Sequence, residues 1–180
     1  MKIVAFTGMP FSGKSEAVKI AKEQNIPVIR MGDMIWEETK SRGLEINDSD
    51  VGKIATNMRK ENGMDIWAKR TYEKIRSMKN VEKLVIDGVR NIEEVDFFKE
   101  NLGKDFVLIA VQVSDDLRYK RAMNRGREDD SKDPKLIKER DKRELSWGLK
   151  NVIDSADITI SNEGSIEDFQ KEIKEIFSNL

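Results

Sequence analysis

The chain of 180 residues has no histidine, no cysteine and only three prolines. Without histidine it cannot run a Ser/His/Asp or Cys/His mechanism, and without cysteine as well it cannot build a Cys/His zinc site. The lack of cysteine also excludes a disulfide framework and fits a reducing compartment. A dominant charge sign is missing too. The 33 Lys and Arg residues face 34 Asp and Glu, a formal charge of −1, whereas general polyanion binders carry a large basic excess. Nucleic acid or a ribosome as partner is thus unsupported rather than excluded. The opening Met1-Lys2-Ile3-Val4-Ala5-Phe6 runs into a glycine-rich turn before any apolar stretch reaches the length of a signal or membrane segment. The expectation is a cytoplasmic protein with no membrane partner. Its chemistry must use Asp, Glu, Lys, Arg, Ser, backbone amides and hard cations bound through oxygen.

With 38% hydrophobic residues, a single domain over 1–180 buries about 70% of its unfolded surface, enough for a core and a cleft. Short Val- and Ile-rich runs alternate with helical patterns, as a parallel sheet covered on both faces requires. The strands expected are Lys2 to Phe6, Pro27 to Arg30, Lys83 to Asp87, Phe106 to Val113 and Asp157 to Ser161. Asn91 with Glu94, and Ser165 with Asp168, read as helix N-terminal pairs. The helix after Asn91 shows Ile92, Val95, Phe98 and Leu102 at helical spacing, and the last helix Ile166, Phe169, Ile173, Ile176 and Phe177. About fifty residues between the second and third strands carry no strand signal, so 33–78 reads as a helical insertion broken at Gly63. The fold class is α/β, with ligands expected at the carboxyl ends of the strands.

The strongest chemical signal is Gly8-Met9-Pro10-Phe11-Ser12-Gly13-Lys14-Ser15, two glycines separated by four residues and followed by Lys and Ser. Glycines let the backbone wrap so that its amides point at a β-phosphate, Lys14 reaches the β and γ oxygens, and Ser15 binds Mg²⁺. The loop follows an apolar strand and precedes an amphipathic Ala17, Val18, Ala21 pattern, the context this motif needs. Asp87 closes the apolar run Leu84-Val85-Ile86, where its carboxylate suits a Mg²⁺ held directly or through water, or else a turn cap with Gly88. Arg118, Arg121 and Arg125, spaced three and four apart, share one helix face and are followed by Arg127. They suit transition-state phosphate charge, or form a solvated face paired with Glu128, Asp129 and Asp130. Asp33, after Gly32, reads either as a substrate-facing acid or as the N-cap of a helix from Met34 to Arg42.

These residues resemble the nucleoside monophosphate kinase superfamily of P-loop proteins, over nearly the whole chain and closest to archaeal adenylate-kinase-related proteins. Met31-Gly32-Asp33-Met34-Ile35 resembles the acceptor segment of adenylate kinases, and Ile86-Asp87-Gly88-Val89-Arg90 their Asp-Gly-Phe-Pro-Arg strand end. Ala156-Asp157-Ile158 with Asn162-Glu163-Gly164 is similar to the last strand and adenine-side loop of dephospho-CoA kinases. The resemblance implies a three-layer α/β/α fold with a five-stranded parallel sheet of order 2-3-1-4-5. It also implies that the 33–78 insertion binds the acceptor and that 125–133 forms a short lid. ATP and Mg²⁺ would sit on the phosphate loop and Asp87, with Gly164 against adenine. Arg121, Arg125 and Arg127 would supply lid charge, and Arg90 would meet the acceptor phosphate. The resemblance makes AMP the first acceptor to consider.

Two departures bear on the acceptor, one being that the strand-end Arg90 comes one position early, with Val89 in place of the usual Phe-Pro. Trp36 stands where adenylate kinases carry a phosphate-gripping Arg, so it either stacks on a base or packs inside the insertion. Arg59, on the polar side of the Val51 to Met58 helix, is either a replacement anion ligand or a surface Arg. Phosphoryl transfer to a phosphate needs no base, and with a hydroxyl acceptor Asp33 is the group to take the proton. Two other readings stand beside a kinase: an ATPase coupled to a macromolecular partner, and a nucleotide sensor without turnover. No Asn-Lys-x-Asp sequence is present to read guanine.

Overall fold

A computed structural model describes residues 1–124 and 133–179. The expected lid therefore lies outside the described residues apart from Asp133, and so do Arg125 and Arg127. Strands β1 (Lys2–Thr7), β2 (Val28–Arg30), β3 (Lys83–Asp87), β4 (Phe106–Gln112) and β5 (Ile158–Ser161) form one parallel sheet in the order β2-β3-β1-β4-β5. Helix α1 (Lys14–Glu23) leads from β1 to β2. Helices α2 (Met31–Ser41), α3 (Asp48–Asn62) and α4 (Ile66–Ser77) lead to β3. Then α5 (Ile92–Leu102) precedes β4, α6 (Asp115–Asn124), α7 (Pro134–Ser146) and α8 (Leu149–Asp154) precede β5, and α9 (Ile166–Asn179) closes the described chain.

Side chains of a strand alternate between faces, and β1 shows how that builds two cores. Ile3 and Ala5 join Leu84, Ile86 and Leu108 on one face, beneath Trp67, Phe98 and Trp147. Val4 and Phe6 join Val85, Ile109 and Val111 on the other, against Ala17 and Ile20 of α1 and Phe169, Ile173 and Phe177 of α9. Both faces are apolar because helices cover both, which is why the strands read as continuous hydrophobic runs. No helix among the described residues is long and apolar enough to cross a membrane.

Strand ends shift slightly from expectation. Pro27 lacks an N–H, so it only accepts from the Val85 N–H at 2.9 Å and β2 starts one residue later. The Asn91 side chain accepts from Glu94 N at 2.8 Å, and Ser165 Oγ from Asp168 N at 3.1 Å, as their spacing implied. Gly63 ends α3 at φ 96°, a conformation disfavoured for L side chains. Two readings need correction. Asp33 is not an N-cap: α2 starts at Met31 because extended Arg30 is the boundary residue, and the Asp33 carboxylate instead binds the Arg30 guanidinium. Ile166 is not in the core: it opens α9 before that helix reaches the sheet and is exposed.

Candidate functional site

The parallel register sets Phe6 opposite Asp87 and Arg30 opposite Asp87 on its other side, so the carboxyl ends of β1, β2 and β3 converge. From β1 the chain enters the phosphate loop. Gly8 lies at φ +139°, and a Cβ there would meet the Val111 carbonyl oxygen at 2.4 Å. Gly13 lies at φ +115°, and a Cβ would strike the Asn162 side chain at 2.0 Å. Both positions therefore combine left-handed backbone with close approach, which only glycine satisfies.

The loop is braced from outside by side chains that bond its carbonyls. Arg118 donates to Pro10 O at 3.0 Å, and Asn162 Nδ2 to Ser12 O at 2.8 Å. Arg121 donates to Ser12 O at 3.3 Å and to Asn162 O at 3.0 Å. Lys14 Nζ donates to Gly8 O at 2.6 Å and Met9 O at 2.9 Å, spanning the loop. These bonds fix the loop's carbonyls, and wrapped loops of this kind bind anions through their peptide N–H groups. Arg118 is buried between Asp141 at 2.8 Å and Asp115 at 2.6 Å. Burial works against its charge, yet the two carboxylates hold its pKa above the ordinary guanidinium value.

In front of the loop opens a cleft lined by Lys14, Ser15, Asp33, Trp36, Asp87 and Arg90, and further by Arg30, Arg140 and Glu144. Asp87 is buried, and its Oδ1 has no hydrogen-bond partner among the described residues. A buried carboxylate oxygen without a donor, in the cleft that Ser15 also lines, fits a hard cation ligand. Arg30 grips Asp33 with two bonds, 2.5 and 3.1 Å, and its guanidinium lies 5.6 Å from the Trp36 ring centroid. Glu144 is buried between Arg90 at 3.2 Å and Arg140 at 3.2 Å. Burial pushes its carboxyl up, but Arg90, Arg140 and Lys14 together pull it down to about 2.

Comparison with known proteins places this arrangement. Residues 7–138 match the family described as an AAA domain. A UPF0200 protein of Methanosarcina mazei is 46% identical over 179 residues, covering 99% of this chain and 95% of that protein. The chain belongs to the UPF0200 family. A UPF0200/UPF0201 protein of Archaeoglobus fulgidus is also 46% identical, over 181 residues, but this chain spans only 56% of its length. Among solved structures, the Thermus thermophilus protein TT1252 superposes with a TM-score of 0.67 at 18% identity, covering 99% of this chain and 97% of that one. Shikimate kinase from Aquifex aeolicus gives 0.54 at 18% identity, with 98% and 96% covered. These likenesses show a P-loop kinase fold in this UPF0200 chain.

Within the UPF0200 fold the singled-out residues part company. Lys14, Ser15, Asp33, Trp36, Asp87 and Arg90 meet in one cleft. Gly164 lies in the exposed loop after β5, next but one to Asn162. Arg59 is neither a surface residue nor on the cleft wall: it is 3% exposed, bonds Glu94 at 2.8 Å and lies 4.3 Å from the Trp147 ring centroid. Its helix turns the nominally polar side toward Glu94 of α5 and toward Trp147 at the end of α7. Sequence reasoning missed Arg30 and Glu144 as cleft residues. Arg30 ends a strand, where α/β ligands gather, and Glu144 follows Arg140 by one helical turn, the spacing of a bonded pair.

Proposed function

We propose that this UPF0200 protein is an ATP-dependent kinase that transfers the γ-phosphoryl group to a nucleoside monophosphate or a similar small acceptor, AMP being the first candidate. The reading rests on one observation: a phosphate loop, an orphaned buried Asp87 oxygen and the Arg30, Arg90 and Arg140 cluster face one cleft. A donor phosphate chain on one wall and cations for an anionic acceptor on the other are what in-line transfer needs.

Ser15 and Asp87 would hold Mg²⁺, which supplies charge neutralisation of the donor phosphates. The loop amides and Lys14 would bind and orient the β- and γ-phosphates. Arg90 and Arg140, turned by Glu144, would fix the acceptor's anion, and Trp36 would lie against its body. For a hydroxyl acceptor Asp33 would take the proton after release from Arg30. Arg121, with Arg125 and Arg127 of a 125–133 lid, would add positive charge, and Gly164 would border adenine. The cleft holds only about 60 Å³, well below the ~300–1,000 Å³ of small-molecule sites. Admitting an acceptor would therefore require this cleft to widen.

An ADP-release assay against mononucleotides, deoxynucleotides, dephospho-CoA and shikimate tests the reading. We expect one acceptor to raise ADP release at least tenfold; equal release with all of them and with none rejects it. Asp33→Asn then separates acceptors: little loss means a phosphate acceptor, a large loss a hydroxyl. A second reading, ATP hydrolysis coupled to a macromolecular partner, is favoured by Trp36, which lines the cleft where adenylate kinases carry a phosphate-gripping Arg. Under it the same assay yields acceptor-independent ADP.

A further inference from the structure

Among the described residues, three that are not glycine hold a positive φ: Phe11, Asn25 and Asn80. Asparagine takes left-handed backbone readily, whereas for a bulky side chain it is an outlier. Phe11 sits at φ 65° in the middle of the phosphate loop and is 5% exposed. Such a conformation persists only where the surrounding structure over-determines it.

Those surroundings are helices α6 and α7. Phe11 forms one buried apolar cluster with Ala122 of α6 and Ile137 of α7, and Tyr119 of α6 packs against it. The carbonyls on either side are held from α6 as well, Pro10 O by Arg118 at 3.0 Å and Ser12 O by Arg121 at 3.3 Å. Three consecutive loop residues are thus fastened to one helix. The bonds fix the carbonyls of Pro10 and Ser12, and the close-packed ring fixes the left-handed residue between them. The Arg140 guanidinium, which lines the cleft, lies 5.9 Å from the centroid of the same ring.

We propose that Phe11 is a positioning residue of the phosphate loop: its ring, seated between α6 and α7, holds the left-handed turn that gathers the loop amides around a donor phosphate. Successive N–H groups converge on an anion where right- and left-handed residues alternate, so Phe11 acts through its backbone while its ring serves as the anchor. The proposal rests on the reading of this loop as the ATP site. Glycine reaches the same φ without strain but has no ring, and leucine keeps an apolar side chain for the seat. Backbone freedom and ring packing therefore predict opposite outcomes at this one position.

The test is calorimetric titration of the full chain with MgADP, a probe that needs no acceptor, on variants whose circular dichroism matches the native protein. Phe11→Gly should bind about tenfold or more weaker than native, and Phe11→Leu within about threefold of it. Ile137→Ala, outside both loop and cleft, should weaken binding by about threefold or more, and Phe11→Gly/Ile137→Ala should bind no more weakly than Phe11→Gly alone, because without the ring no seat is left to disturb. A residue that only stabilised the fold would show neither the rescue by leucine nor this non-additivity. Phe11→Gly binding as tightly as native, Phe11→Leu as weak as Phe11→Gly, or additive losses in the double variant would overturn the proposal. Binding lost in Lys14→Ala but kept in Phe11→Gly rejects the anchor alone, whereas a native chain that does not bind MgADP rejects the ATP site and the anchor with it.

Discussion

Glu144 is a buried acid kept charged by its neighbours, and its linkage to pH follows from that. Its folded pKa, about 2, lies below the ordinary 4.5. A depressed carboxylate stabilises fully above the unfolded value and loses this contribution as pH falls through the folded one. The window is therefore pH 4.5 down to about 2, and the shift corresponds to about 3 kcal/mol. Glu144→Gln should lower urea-unfolding stability by about that amount at pH 7. The difference from the native protein should shrink as pH falls toward 2; a constant difference would show that the three cations do not set this charge. At the loop, Lys14→Ala should cut phosphoryl transfer by about a hundredfold or more, with the circular dichroism spectrum unchanged. Asp87→Asn should act chiefly by raising the Mg²⁺ concentration needed for half-maximal rate. Lys14 and Ser15 were legible because the loop constrains every residue in a short contiguous stretch. Glu144 was not, because its partner Arg90, in the segment after β3, is 54 residues away in the chain.

Between elements, the decisive link is the buried pair that joins α3 to α5. Arg59 and Glu94 are both nearly inaccessible, and Glu94 also accepts the Arg90 amide at 2.7 Å. This contact thus sets where the cleft arginine begins. Removing one partner leaves an uncompensated buried charge, so Glu94→Gln should cost about 3–5 kcal/mol, whereas Arg59→Met with Glu94→Leu should recover most of it. Equal losses in single and double variants, measured by urea unfolding, would contradict that account. Helix signals in the sequence were local and held at Asn91 and Ser165, whose side chains cap their own helices. Asn91→Ala should accordingly cost about 1 kcal/mol. The Asp33 cap failed because a competing local bond, to Arg30 three residues back, took the carboxylate. Arg59 was misread for a different reason: helical periodicity gives a face, but not whether another helix will cover it.

Across the whole molecule, the parallel α/β class was legible because apolar runs and helical patterns repeat along the chain, and the sheet order followed from the resemblance to nucleoside monophosphate kinases. Apolar runs, each followed by a helix, leave few topologies for parallel strands joined by right-handed crossovers. That order places the β1, β2 and β3 ends side by side and so assembles the cleft. The acceptor was not legible, since the cleft is lined by side chains from distant parts of the chain, Arg30, Arg90, Arg140 and Glu144 among them, a property of tertiary contacts. In the proposed function, the cleft moves the γ-phosphoryl group of ATP onto a small molecule. Phosphorus NMR of the protein with MgATP and each candidate acceptor, beside the Lys14→Ala variant, follows that group directly. The account predicts a new phosphate ester or anhydride resonance with one acceptor, growing as the γ signal falls and absent in Lys14→Ala. Inorganic phosphate as the sole product with every acceptor, or a product formed equally by Lys14→Ala, would contradict it.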